Sequence, residues 1–378
     1  MKNKIRILHV AQAAGGVDRY IRMLLKYLDS DKFENILVCS QDFEKKNYEG
    51  LVISFEQIYM AREIGVNDIK IIKNVRNLIK KYQPDIVYAH SSKAGAVVRV
   101  ANVGLKNYCI YNPHGWAFNM RCSQKKQNLY RLIEKLAAPF CDKIVCISEF
   151  EEQSAIEKNI CKKDKLHLIY NGVDVEEYDN KICNHFERET LHIPSNAIVI
   201  GMVGRISEQK APDVFIKTAK LIKQSVPNTF FIIVGNGDME EKIYEYARKN
   251  GLEESLLITG WVNEPMQYVE LFDIAMLLSR WEGFGLVLPE YMMAGKPIIA
   301  SRVDAIPNII VDHENGILVN CDDENATFKA TMELLENKLL LNKVVQNGIT
   351  DVHNRFNVRR MAMAHEKLFE QVKLEKNK

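Results

Sequence analysis

The chain has 378 residues, with 51 lysines and arginines against 49 aspartates and glutamates and 47% apolar residues. That composition excludes wholesale disorder, collagen-like repeats and low-complexity scaffolds, and the length suits two domains rather than one. A net charge of +2 excludes a surface that is basic throughout, so nucleic acid is not an expected partner.

The first apolar run, at 5–10, reads as a strand. The basic residues before it resemble a secretion signal only superficially, because Arg6, His9 and Gln12 interrupt the run and a glycine turn follows. No stretch of 18 apolar residues occurs, so no membrane span is expected and the cytoplasm is the expected compartment. The cysteines Cys39, Cys109, Cys122, Cys141, Cys146, Cys161, Cys183 and Cys321 form no C-x-x-C pair and are expected to be buried, reduced thiols.

After Gly15 and Gly16 a helix is predicted, with Val17, Ile21, Leu24, Leu25 and Leu28 on one face. A strand at 35–40, a helix at 68–82, a strand at 85–90, a helix at 93–104 and a strand at 107–112 continue the alternation. A helix around 127–138 and a strand at 142–147 follow. Runs that are apolar on both faces, alternating with amphipathic helices, are the signature of a doubly wound parallel sheet. The pattern lapses at 176–197 and resumes at 197–205 with a second strand–helix series. We read residues 1–180 as one Rossmann-like domain and 181–357 as another. Residues 358–378 form a terminal helix expected to pack back toward the first domain.

Ligands of such sheets lie beyond the carboxyl ends of the strands. The residues there are Gly15–Gly16, His90, His114, Ser148, Asn171–Gly172, Gly204–Arg205, Gly235–Gly237 and the block from Glu282 to Glu290. Neither glycine cluster has the G-x-G-x-x-G or G-K-[ST] spacing, which counts against a dehydrogenase and against a P-loop nucleotidase. Gly15 and Gly16 join a strand to a helix, where backbone N–H groups can meet an anion. Arg205 and Lys210 are five apart after a strand and can converge on one diphosphate, although a pair of solvated surface cations would look the same. In SRWEGFGLVLPEYMMAGK, Glu282 and Glu290 are separated by seven residues, and Gly283 and Gly285 bracket Phe284. Pro289 and Glu290 are expected to open a helix over 290–294. A carboxylate there can hold two neighbouring hydroxyls, and helix capping would account for Glu290 alone. His114, in NPHGW, stands where a reacting sugar could be met.

Together these motifs resemble the retaining glycosyltransferases of family 4, which have the GT-B fold of two Rossmann-like domains facing a central cleft. The matches run in order along nearly the whole chain: Gly15–Gly16, DIVYAHS, PHGW, CISEF, YNGVD, VGR with Lys210, IIVGNGD, ITGW, the E-x7-E block and ENGILV. The resemblance implies a nucleotide-sugar donor, a UDP-sugar above all, held mainly by the second domain. Arg205 and Lys210 would bind the diphosphate, with Gly16 lending its backbone. Glu290 would hold the ribose. Glu282 would meet the sugar, with Gly283, Phe284, Gly285 and Leu286 giving backbone contacts. His114 would lie beside the anomeric carbon. It also implies no cofactor and no obligatory metal. Two departures are Ala211-Pro212, where many members have glycine after the lysine, and Val17-Asp18-Arg19 after the first glycines.

The charge is unevenly spread: residues 61–143 carry 15 lysines and arginines against five acids. Arg121, Lys125, Lys126 and Arg131 alternate with leucines, which suits a helix lying on an anionic membrane surface beside a lipid-linked or glycan acceptor. A solvated helix face is the competing reading. Two other functions fit the same architecture, a UDP-sugar 2-epimerase and a non-catalytic nucleotide-binding subunit.

Overall fold

The computed structural model describes residues 4–12, 14–61, 65, 67–181 and 186–376, so Cys183 lies outside the described residues. The chain divides into two units, Met1–Gly172 with Asn357–Lys378, and Val173–Phe356. In chain order the first unit contains β1 (Ile5–Ala11), α1 (Gly16–Tyr27), β2 (Phe33–Cys39), β3 (Ser54–Gln57), α2 (Asp68–Tyr82), β4 (Ile86–His90) and α3 (Ser92–Ala101). It continues with β5 (Tyr108–Asn112), α4 (Gln124–Ala137), β6 (Lys143–Cys146), α5 (Glu149–Glu157) and β7 (Leu166–Leu168). The second unit holds α6 (Val175–Lys181), β8 (Ile198–Val203), α7 (Pro212–Ser225), β9 (Thr229–Val234), α8 (Glu240–Lys249), β10 (Leu256–Ile258) and α9 (Met266–Val269). It closes with β11 (Ile274–Leu277), α10 (Val287–Met293), β12 (Ile298–Ser301), α11 (Ile306–Ile309), β13 (Ile317–Val319), α12 (Glu324–Glu336) and α13 (Lys338–Asn354). The chain then returns to the first unit as α14 (Val358–Lys376).

Both sheets are parallel in every described pairing. Their orders are β3-β2-β1-β4-β5-β6-β7 and β10-β9-β8-β11-β12-β13. Parallel neighbours need crossover connections, and these cover both faces of each sheet. This is why strands such as β9, TFFIIV, are buried at every position. In the first unit, Tyr20 and Leu24 of α1 share one core with Phe369 and Val372 of α14. Val75 and Ile79 of α2 pack with Val97 and Val98 of α3 in another. In each sheet the order of winding reverses once, between β1 and β4 and between β8 and β11. Loops at such switch points part to leave a crevice.

The chain enters the second unit at Val173 rather than within 176–197. A Cβ on Gly172 would stand 2.5 Å from the Cα of Val358, so only glycine fits there. The Val173 N–H donates to the Phe356 carbonyl at 2.7 Å. Residues 175–181 are helical and belong to the second unit, so this charged stretch is not a linker.

Candidate active site

In the second unit the loops after β8 and β11 face each other across the switch point and are laced together. The Arg280 N–H donates to the Gln209 carbonyl at 2.8 Å, and Gln209 Nε2 donates to the Trp281 carbonyl at 3.0 Å. Arg280 fastens them with its side chain. Its guanidinium donates to Asp213 at 2.7 Å, to Asp322 at 2.6 Å and to the Glu208 carbonyl at 2.8 Å. Hydrogen bonds from Arg280 hold the Asp213 carboxyl below its ordinary range, against the opposing effect of burial. The sequence reading assigned Arg280 no role, since only the fold brings Asp213 and Asp322 to it.

Lys210 donates to the Glu282 carboxylate, which also accepts from the Ser279 hydroxyl at 3.1 Å. The Glu282 N–H donates to Asp304 at 2.9 Å. Arg205 is exposed, and its guanidinium has no partner among the described residues. One cation is therefore held and the other open, on a loop that follows β8. Ala211 adopts φ 50°, the left-handed region that glycine occupies at no steric cost, and Pro212 then starts α7. The glycine that the family resemblance leads one to expect there would have a backbone reason. Gly235 and Gly237 also have one: a Cβ on either would stand 2.2 Å from the carbonyl oxygen of Gly204 or of Ile206. They pack loop against loop.

Gly283 and Leu286 are half-buried, and Gly285 has φ 82°. Phe284 points into the core against Phe356, ring centroids 5.9 Å apart, so it can offer a ligand only its backbone. The helix expected over 290–294 spans Val287–Met293 instead. Proline is tolerated throughout a first turn, where N–H groups have no helical partner, so Pro289 does not mark the first residue. Glu290 is buried inside this helix, its N–H bonded to the Leu286 carbonyl at 3.4 Å. The next residue, Tyr291, accepts at its hydroxyl from the Val203 N–H at 2.8 Å, which fixes α10 to the end of β8.

In the first unit Gly15 has φ 88°, and added Cβ atoms on Gly15 or Gly16 would meet nothing within 4 Å. The start of α1 is thus open. Asp18 is engaged by the Tyr48 hydroxyl at 2.7 Å and by Arg22 at 2.9 Å. His114 is half-buried at φ 51°, its N–H bonded to Asn112 Oδ1 at 2.9 Å and its ring in T-shaped contact with Tyr20. Its Nε2 lies 3.1 Å from His90 Nδ1, and His90 Nε2 lies 3.1 Å from His9 Nδ1. His90, expected near ligand, is fully buried behind His114. Sequence reasoning noted His9 only as an interruption of an apolar run, although a polar residue inside such a strand is itself a signal of a buried network.

Ser148, another strand-end residue, caps α5 by accepting the Glu151 N–H at 3.2 Å, a structural role. The Trp116 indole donates to the Glu151 carbonyl at 3.0 Å and anchors the PHGW turn. Burial pushes the Glu151 carboxyl up to about 8, although the N–H groups of Ile147 and Gly115 pull it back.

The basic segment divides in two. Arg121, Lys125, Lys126 and Arg131 are exposed on or just before α4, whose Leu129, Leu132 and Leu136 are 53%, 52% and 65% exposed. Lys93 and Arg99, counted with this surface in sequence, are buried instead. Lys93 holds Asp68 at 2.5 Å and Arg99 holds Glu134 at 2.8 Å. The Tyr111 hydroxyl completes the second pair by donating to Glu134 at 2.9 Å. Charge counting could not see these pairs because their partners are distant in sequence. Among the described residues no helix is long and apolar enough to cross a membrane.

Two parallel α/β units, each with glycine-rich loops at its switch point, define the GT-B class of protein. Solved structures share the fold. A protein of Anabaena, Alr3699/HepE, in complex with UDP and glucose, superposes with a TM-score of 0.82 at 19% identity, over 97% of this chain and 99% of that one. WaaG, a glycosyltransferase involved in lipopolysaccharide biosynthesis, gives 0.73 at 17% identity over 97% and 99%. The family descriptions "glycosyltransferase family 4" and "glycosyl transferases group 1" match residues 14–177 and 184–351. An uncharacterized 41.2 kDa protein in the cps region of Klebsiella pneumoniae is 30% identical, covering 85% of this chain and 87% of its own. A UDP-Gal:alpha-D-GlcNAc-diphosphoundecaprenol alpha-1,3-galactosyltransferase of Escherichia coli is 28% identical, with 94% of both chains covered. The chain belongs to this family: it is a group 1, family 4 glycosyltransferase.

Proposed function

We propose that the enzyme transfers a sugar from a UDP-sugar to a lipid-linked glycan, with retention at the anomeric carbon, in the synthesis of a cell-surface polysaccharide. The observation that carries this reading is the pair Arg205 and Lys210 on the loop after β8, one open and one held by Glu282. The E. coli and K. pneumoniae relatives support the polysaccharide context.

In the second unit, Arg205 and Lys210 take the diphosphate, Glu290 the ribose, and Glu282 with the backbone of 283–286 the sugar. In the first unit, Gly16 offers its helix-start N–H, and His114 meets a sugar hydroxyl. When the bond from the anomeric carbon to the β-phosphate oxygen breaks, its electron pair passes to the diphosphate. Fixed cations and N–H groups stabilise that charge as it develops. The acceptor oxygen bonds to the anomeric carbon on the same face and gives its proton to the departing phosphate oxygen. No metal is needed for these steps, so activity should survive chelation with EDTA.

The test is UDP release across a panel of UDP-sugars, beginning with UDP-galactose, with and without a polyprenyl-diphosphate-linked acceptor. We expect acceptor-dependent release, lowered by about 10²–10³ in Lys210→Ala, the cost of removing one charge-stabilising donor. Conversion of the donor to its 2-epimer would instead identify an epimerase, and binding of UDP without turnover of any donor a nucleotide-binding subunit. A product with inverted anomeric configuration would overturn retention. The same reading places the enzyme on the cytoplasmic face of the membrane, held there by α4.

A further inference from the structure

Four residues form one row across the first sheet. Asn35 is on β2, His9 on β1, His90 on β4 and His114 just beyond β5, the spatial order of those strands. Asn35 pairs in register with Ile7, two residues before His9. His9 pairs with Tyr88, two before His90, and His90 pairs with Asn112, two before His114. Residues two apart share a face, so each step moves one strand over and two residues toward the carboxyl edge. The rings meet edge to edge. Both imidazole pairs have N···N distances of 3.1 Å, centroids 5.4 Å apart and planes inclined by only 16° and 28°.

Burial depresses His9 to about 4 and His114 to about 3, and drives His90 well below the ordinary imidazole value, so all three are neutral at pH 7. A neutral imidazole has one donor and one acceptor nitrogen, so a file of them points in one direction throughout. Asn35 sets that direction. Its Oδ1, an acceptor, lies 3.2 Å from His9 Nε2, which therefore carries the proton. His9 Nδ1 must then accept from His90 Nε2–H, and His90 Nδ1 from His114 Nε2–H. The last nitrogen, His114 Nδ1, is left bare, with no partner among the described residues.

We infer that Asn35, His9 and His90 are positioning residues that lock His114 in its Nε2–H tautomer, so that Nδ1 stands as a fixed acceptor for a sugar hydroxyl. This rests on the proposed contact of His114 with sugar. Toward the sugar it makes the His114 ring an acceptor and not a donor, and the aligned dipoles behind it strengthen that acceptor.

The test is ¹⁵N–¹H long-range correlation of histidine-labelled protein, combined with steady-state kinetics. In the wild type His114 should show a protonated Nε2 and a bare Nδ1; a protonated Nδ1 would overturn the proposal whatever the activity. His90→Leu breaks the file, whereas His90→Gln restores a donor and an acceptor at similar separation. We expect mixed tautomers at His114 and a KM about tenfold higher in His90→Leu, the value of one hydrogen bond. His90→Gln should restore KM to within about threefold. The rise falls on the UDP-sugar if the hydroxyl is the donor's and on the glycan if it is the acceptor's. A His90→Leu protein that keeps the pure Nε2–H tautomer would refute the relay. If the wild-type tautomer stands but His114→Ala turns over both substrates at the wild-type rate, the sugar contact fails and the inference falls with it, leaving only the tautomer assignment.

Discussion

Lys210 donates to the carboxylate of Glu282, and this ion pair joins the loop after β8 to the loop after β11 at the point where the second sheet reverses its winding. Both side chains are largely shielded, so a diphosphate reaching Lys210 must compete with Glu282 for it. Glu282→Gln removes the competing charge. We expect UDP to bind at least about threefold to tenfold more tightly in that variant by titration calorimetry, since even a solvent-exposed ion pair is worth up to about 1 kcal/mol. Sugar transfer should fall at least about tenfold if Glu282 holds the sugar as proposed. Weaker UDP binding would show that Glu282 orients Lys210 for the phosphate instead of restraining it.

Arg280 is the residue that makes those loops one body, with its bonds to Asp213, Asp322 and Glu208. Arg280→Ala leaves Asp213 partly buried without its cation, at a cost of about 3 kcal/mol. In a unit of this size that lowers the thermal midpoint by roughly 6–12 °C. The Asp213 carboxyl is depressed in the folded state, so its contribution is present above the unfolded value near 3.8 and is lost as pH falls through the folded one. The gap between wild type and variant should therefore narrow below pH 4 in thermal melts.

What could be read from sequence was set by range. The helix over 68–82 was fully legible, because a 3.6-residue apolar period is a local property. Lys210 and Glu282 were legible as charged residues just beyond strand ends. The four-residue β3 and the three-residue β7 and β13 were not, because so short a run shows no alternation and is strand only by pairing with its neighbour. The clamp on Arg280, the pairing of Arg99 with Glu134 and the row from Asn35 to His114 all join residues 24 to 81 positions apart. Each is visible only when the sheet order is known.

Glu151 predicts a pH dependence of opposite sign to that of Asp213. Its folded value, about 8, lies above the ordinary 4.5 because burial disfavours the carboxylate. The favourable term is thus complete below pH 4.5 and is lost as pH rises toward 8, at up to about 1.4 kcal/mol per pH unit. Glu151→Gln cannot ionise. Chemical denaturation should find the wild type losing stability relative to this variant between pH 5 and 8, with the variant the more stable at pH 9. A difference that does not change over that range would mean the carboxyl stays neutral in both states or charged in both.

Helix α4 turns its two faces to different tasks. Glu134 is fixed inward by Arg99 and Tyr111, so the helix is held independently of its outer residues. Outward, Leu129, Leu132 and Leu136 follow at spacings of three and four along one stripe, each more than half exposed, with Lys125, Lys126 and Arg131 beside them. An apolar stripe flanked by cations suits the boundary between headgroups and acyl chains, where each cation near an anionic surface contributes about 1 kcal/mol. The enzyme should therefore co-sediment with vesicles containing phosphatidylglycerol and not with phosphatidylcholine alone, and binding should weaken as salt shortens the Debye length below ~10 Å. Replacing Lys125, Lys126 and Arg131 together by glutamine should lower the partition coefficient about a hundredfold. Leu129→Gln with Leu132→Gln should weaken binding at every salt concentration. Neither set touches the Arg99–Glu134 anchor, so near-ultraviolet circular dichroism should not change. Equal recovery with neutral and anionic vesicles would make α4 a solvated face and would leave the approach of a lipid-linked acceptor to another surface.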